Sequence, residues 1–343
     1  MIRFSKIIEQ DSKEDSRRKP NRKGEISLRK IGIFDKEEVG DNKTISKDTM
    51  NEAGKYYKKI SQLADLLRSW VQNNETINIS MIIPVLRSIV EKNLVDDLYH
   101  YLTFEAEEAD PLAAQSIKGT LLALKIGAGM GYDKNRLADL ATVAFLQDVG
   151  MHTMPQDILN KRGTLSNQEF KEIQHHPEMS ADLLSRSDGE YAWLADVALQ
   201  VHERADGSGY PFGLKKEEIH EYASITGLAD MYAAMISDRP YRQRIEQNGA
   251  VREILRSARG AFPAKVVKAF LNQISFFPLG SYVKLNDRSV ARVVNTHPGF
   301  PLKPTVEIVS DSLGSKLQDP RIVNLSQQIL LSVTGSVDDK DIS

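Results

Sequence analysis

A change of periodicity near Phe276 constrains the fold more than any other feature of this sequence. From about Asn51 to Phe276, apolar residues recur every three or four positions, the repeat that lays one face of an α-helix on a core. Ile60, Leu63, Leu67, Trp70 and Val71 form one stripe, and Ile82, Leu86, Ile89 and Val90 form a second, with Ser80 as its expected cap. Leu94, Leu98 and Tyr101 continue the apolar face. Leu112, Leu121, Leu122, Leu124 and Ile126 predict a helix that ends at Gly127, Gly129 and Gly131. Leu137–Leu146 is apolar nearly all round and is expected at the centre of a bundle. Further helices are expected near 166–186, 191–203 and 222–237. Beyond Phe276 the pattern shortens and alternates. Ser281–Leu285, Ser289–Asn295 and Thr305–Ser310 are rich in Val and Ile, and Asn286-Asp287, Pro298-Gly299 and Gly314 punctuate them.

The expected chain is therefore mostly α, with a small C-terminal β module. The divisions are a charged tail at 1–50, an N-terminal helical region at 51–108, a helical domain at 109–277, the β module at 278–335 and an acidic tail at 336–343. Asp11–Lys23 is almost wholly polar. Such a segment cannot offset its ordering entropy, so the first tail is expected to be disordered. With 343 residues, 41% of them hydrophobic, the remainder can bury a substantial core. A net charge of -2 argues against a dedicated nucleic-acid binder, which would show a basic field. The absence of cysteine excludes disulfides, thiolate metal sites and a Cys nucleophile, so any metal must be held by His, Asp and Glu. No apolar run suits a signal peptide or a spanning helix, and a cytoplasmic protein without membrane insertion is expected.

The string His202-Glu203-Arg204-Ala205-Asp206-Gly207-Ser208-Gly209-Tyr210-Pro211 carries the chemistry. Alone, Asp-Gly-Ser-Gly-Tyr-Pro is turn chemistry, with Gly supplying positive φ and Pro stiffening the exit. It does not stand alone. It resembles the HHExxDGxGYP signature of HD-GYP domains, the fold of the cyclic di-GMP phosphodiesterases. Leu159-Asn160-Lys161, Leu165 to Glu169, His176-Pro177, Ile225 to Ala234, Asp238-Arg239-Pro240-Tyr241-Arg242 and Pro263 to Phe270 resemble further elements of that family, in order, over roughly 109–275. The resemblance implies an HD-GYP helical bundle with an N-terminal helical extension. It also implies a centre in which His and Asp from separate helices hold two or three iron or manganese ions, which activate a water and clamp the phosphodiester.

Against that pattern the departures are specific. The family's HDxGK stands here as Gln147-Asp148-Val149-Gly150-Met151, its upstream HS as Gln115-Ser116, and the first histidine of HHE as Val201. Gln115, Gln147 and Val201 are thus lost ligand positions, and Met151 replaces a lysine. The residual metal candidates are Asp148, His176, His202 and Asp230, with Pro177 favouring His176 over His175. Losing even one outer partner typically costs about 10- to 100-fold in metal affinity, so a two-metal centre is not expected. The expected cofactor is none, or a single divalent iron or manganese ion. Asp148 could equally pair with a protonated histidine in a metal-free network. The nucleotide-facing candidates are Lys161, Asp206, Gly207, Gly209, Tyr210, Pro211, Arg239 and Arg242, with Arg239 suited to phosphate oxygens. Three readings stay open. The favoured one is a degenerate, non-hydrolysing signalling protein that acts by binding cyclic di-GMP, a protein partner or both. The others are an active phosphodiesterase with a depleted metal site and an interaction scaffold that binds no nucleotide.

Overall fold

The computed structural model describes residues 47–337 apart from 105, 107–109, 188, 238–244, 278 and 298. Twelve helices lead, as α1 (Lys47–Gln72), α2 (Ile79–Glu91), α3 (Val95–Phe104), α4 (Pro111–Gly129), α5 (Lys134–Leu146), α6 (Gln156–Leu159), α7 (Asn167–Ile173), α8 (His176–Ser185), α9 (Trp193–Ala198), α10 (Glu221–Met235), α11 (Gln247–Ser257) and α12 (Ala264–Gln273), all among the described residues. A 3₁₀ turn, Val149–Thr153, follows α5. Local chemistry sets several of these starts. Asp110 caps α4 by accepting from Leu112 N at 2.9 Å, with Pro111 opening the helix. Asp133 does the same for α5 through Arg136 N at 2.9 Å, and Ser166 and Glu169 form a reciprocal capping box on α7.

α4 packs on α5, α10 and α12. Along α5 every residue from Leu140 to Leu146 is buried, as the all-round apolar pattern requires. One continuous apolar core runs from Ala53 to Phe276, so α1–α3 share the core of the helices after Pro111. A five-stranded antiparallel sheet follows, with β1 (Tyr282–Leu285), β2 (Val290–Asn295), β3 (Thr305–Ser310), β4 (Lys316–Asn324) and β5 (Val333–Val337) in the order β4-β3-β2-β1-β5. It has its own small core of Val283, Leu285, Ala291, Val293, Val306, Ile308 and Leu325.

Several sequence expectations need correction. Gly129 is the last residue of α4, as expected, but Gly127 lies within the helix, where it admits Leu140 and Leu137 of α5: a Cβ there would sit 2.7 and 3.0 Å from their methyls. Gly131, at φ +78°, makes the actual turn. Asn78, not Ser80, precedes α2. The expected helix near 166–186 is two, α7 and α8, and that near 191–203 stops at Ala198. β4 and β5 were not expected. β4 is an edge strand whose residues Gln318–Arg321 are exposed, so it lacks the buried alternation that marks a strand. The helical region begins at Lys47 rather than 51, and the sheet ends at Val337 rather than 335. The remainder of both expected tails, 1–46 and 338–343, lies outside the described residues. Among those that are described, no helix is long and apolar enough to cross a membrane.

Candidate metal and nucleotide site

Three ligand-type side chains converge where the 3₁₀ turn meets α8. Gly150 permits the contact, since a Cβ there would lie 2.3 Å from the His176 carbonyl and 2.6 Å from Ser180 N. Its N–H donates to Ser180 Oγ at 2.8 Å. Asp148, just before the turn, is thereby set beside His176, the first residue of α8. His176 Nδ1 lies 2.6 Å from the Ile173 carbonyl, which can only accept, so Nδ1 carries the proton and Nε2 faces the site. That Nε2 is 2.9 Å from His202 Nε2 and 3.2 Å from Asp148 Oδ1, and His202 Nε2 is 3.8 Å from the same oxygen. His175 points elsewhere, its Nδ1 2.6 Å from Glu178 at the surface.

The electrostatics follow from burial and mutual charge. Burial opposes ionisation of Asp148, but hydrogen bonding and charge from His176 and His202 outweigh it and hold the carboxyl well below the usual carboxylate range. Burial also pulls His176 down, yet Asp148 and the Ile173 carbonyl more than compensate and raise it. His202 goes the other way, lowered by burial and by the charge of His176 despite Asp148. Asp148 Oδ1 is buried without a well-directed donor, although His176 is near.

The signature loop wraps this cluster and is held by Glu203, whose part the sequence reading left unassigned. Glu203 is 2% exposed, and its carboxylate accepts from Phe212 N at 2.7 Å, Gly213 N at 3.1 Å and Leu214 N at 2.9 Å. The clue available was its fixed place beside His202 in the motif. Gly209 passes so close to Glu203 and Arg204 that a Cβ would lie 2.4 Å from their backbone. Gly207 has φ +80°. Asp206 accepts from Ser208 N at 3.0 Å and Ser208 Oγ at 2.6 Å, so its carboxylate closes the turn. The Tyr210-Pro211 bond is cis, and the Tyr210 ring stacks on His202 with centroids 5.0 Å apart and planes 4° from parallel. The Arg204 guanidinium lies over Phe262 and donates to the Val201 and Glu203 carbonyls at 3.1 and 2.8 Å.

The remaining candidates are placed differently. Asp230, expected beside the histidines as a ligand, falls outside the converging group of three; its Oδ1 accepts from Gln115 Nε2 at 2.8 Å across α4 and α10. Gln147 is buried, and its Oε1 meets no donor among the described residues. Val201 is 1% exposed and belongs to the apolar core. Met151 sits partly exposed in the 3₁₀ turn. Lys161, expected to face a nucleotide, pairs with Glu169 at 2.6 and 2.7 Å. Arg239 and Arg242 lie outside the described residues.

The donor set suits one divalent cation. Two imidazole Nε2 atoms and a carboxylate oxygen lie within 4.8 Å of one another. Three such ligands leave a position for water, and the Ile173 carbonyl holds His176 in the ligating tautomer. The under-satisfied Asp148 Oδ1 fits the same assignment. No second group of three His, Asp or Glu side chains converges among the described residues.

Comparison with known proteins places this geometry. A family model described as an HD domain matches residues 92–266, just over half of the chain. A second, described as a KOW domain associated with HD domain, matches 282–343. The cyclic di-GMP phosphodiesterase PA4108 of Pseudomonas aeruginosa is 35% identical over 178 residues, 52% of this chain and 42% of its own. The cyclic di-GMP phosphodiesterase PdeB of Borreliella burgdorferi is 29% identical over 57% of this chain and 51% of its own. A cyclic di-GMP phosphodiesterase of Thermotoga maritima is 38% identical over 44% of this chain and 41% of its own. The chain thus spans about half or less of the length of these curated relatives. Among solved structures, Bd1817, an HDG"Y"P protein from Bdellovibrio bacteriovorus, superposes with a TM-score of 0.53 at 15% identity, covering 67% of this chain and 73% of its own, which speaks to the fold. The chain belongs to the HD domain family, in its HD-GYP group.

Proposed function

We propose that this chain is a cyclic di-GMP signalling protein that binds the dinucleotide without hydrolysing it and passes the signal to a protein partner. The observation that carries the reading is the ligand count. Asp148, His176 and His202 converge, whereas Gln115 engages Asp230 and Val201 is buried among apolar side chains. One divalent iron or manganese ion at Asp148, His176 and His202 is the most this set supports. Such an ion, when bound, would acidify a water and neutralise phosphate charge. The chain's own residues orient the site: the Ile173 carbonyl fixes the His176 tautomer, Tyr210 covers one face of His202, and Glu203 holds the loop. In-line attack on a phosphodiester also needs charge neutralised at the departing oxygen. The lysine that could serve there is Met151.

The under-satisfied Asp148 oxygen and the intact histidine pair favour a second reading, a one-ion hydrolase. Calorimetry with cyclic di-GMP, with and without manganese, separates these readings when paired with chromatography of the incubated nucleotide. Binding with no linear product is expected. Arg239→Ala should weaken binding by about 10-fold, the loss of one charge-assisted hydrogen bond. Metal-dependent product that His202→Ala abolishes would establish the hydrolase instead. No binding at millimolar nucleotide would leave an interaction scaffold.

A further inference from the structure

We infer that Gln115 stands in for a second cation: its carboxamide compensates Asp230 and ties α4 to α10 without metal. The inference rests on the proposal above that Asp148, His176 and His202 hold at most one ion. A carboxylate removed from water requires a compensating charge or hydrogen-bond donors. Asp230 is partly buried on α10, and its charge is felt at His176, His202 and Arg204. Its Oδ1 lies 2.8 Å from Gln115 Nε2. An ionised carboxylate can only accept, and the only donor of the Gln115 side chain is its NH₂ group. The amide must therefore turn its nitrogen toward Asp230, and in that orientation it presents no carbonyl oxygen to an ion on Oδ1. A histidine, glutamate or aspartate at 115 could coordinate an ion shared with Asp230, but a nitrogen-inward glutamine cannot. The bond also joins residues 115 positions apart, on two helices that pack directly against each other. Metal removal consequently leaves Asp230 compensated, whereas Asp148 loses whatever ion it shares with the histidines.

The test uses the full chain and manganese(II) alone as the probe, with bound equivalents and melting temperature measured in chelator and in excess metal. Wild type is expected to hold at most one equivalent. Gln115→Glu puts a second carboxylate beside Asp230. It should melt about 5 °C lower in chelator, recover with manganese and hold one more equivalent than wild type. Gln115→Met keeps the length but has no donor. It should melt lower by a similar amount, with no added equivalent and no recovery beyond that of wild type. If Gln115→Glu does not fold, Gln115→Met carries the test, and a melting temperature equal to wild type overturns the inference. A Gln115→Glu variant that melts like wild type and gains no metal overturns it alone, leaving the one-ion reading intact. Two equivalents on wild type overturn both. Hydrolysis of cyclic di-GMP by a one-ion wild type overturns the functional reading and leaves the Gln115 assignment standing.

Discussion

The two sides of the site are built on different terms. On one, Asp148, His176 and His202 offer ligand atoms, and local contacts aim them: the Gly150 contact, the Ile173 carbonyl and the stacked Tyr210 ring. On the other, Asp230 belongs to no converging group of three ligand-type side chains among the described residues. Gln115 answers Asp230 with an amide, and Val201 has joined the apolar core. The signature loop reaches the first side through Tyr210 on His202, and Glu203, Gly209 and Asp206 hold it through hydrogen bonds and close packing within the chain. The contrast teaches that the residues holding the loop are not the ones that offer ligand atoms. A loop fastened to a buried carboxylate is expected to keep its shape whether or not an ion sits beneath it.

The largest expected effect tests the substituted side. Hydrolysis of cyclic di-GMP by this protein should be slower by at least ~10³-fold than by an HD-GYP enzyme with its full ligand set, followed by chromatography of the linear product. Gln115→His, Gln147→His, Met151→Lys and Val201→His made together should raise metal content and reduce that gap. Any one alone should do little, since ligands of one centre act as a unit. Equal turnover by the unmodified protein would erase the distinction between the two sides.

Glu203 tests the claim that the loop is held without metal. Glu203→Ala removes the buried acceptor of three part-buried N–H groups and should cost about 3 kcal/mol, a fall in melting temperature of about 8 °C, the same in chelator as in manganese. Glu203→Gln retains an acceptor oxygen and should lose less. A Glu203→Ala defect that manganese repairs would tie the loop to the ion after all.

His176→Ala probes the kept side. It removes one of three converging ligands and should weaken manganese binding by about 100-fold in calorimetry, while His175→Ala, at the surface with Glu178, should leave it unchanged.

The smallest effect lies at the start of α7, where Lys161 and the Ser166 backbone and hydroxyl lower Glu169 to about 2 from 4.5. A carboxyl lowered on folding contributes stability that is complete above its unfolded value and is lost as pH falls through the folded one. The melting difference between wild type and Lys161→Met should therefore be full above pH 4.5 and shrink as the pH falls toward 2. A difference that grows on acidification would mean that Lys161 acts through some other partner.

The sequence by itself determined the helical body, the all-round burial of Leu140–Leu146 and the change to strands after Phe276, because periodicity is written locally in side-chain polarity. It also marked where this chain departs from the strings it resembles, at Gln115, Gln147, Met151 and Val201. It could not show β4, whose exposed side chains carry no alternation, nor that Gly127 serves helix packing rather than helix termination. Above all it could not sort the four residual candidates. Asp148 and His176 meet because the Gly150 turn lies against α8, His202 joins them from the segment after α9, and Asp230 is drawn to Gln115 only because α4 and α10 are neighbours. Which carboxylate answers a cation and which answers an amide depends on distances of a few ångströms between residues far apart in the chain, and packing alone sets those distances.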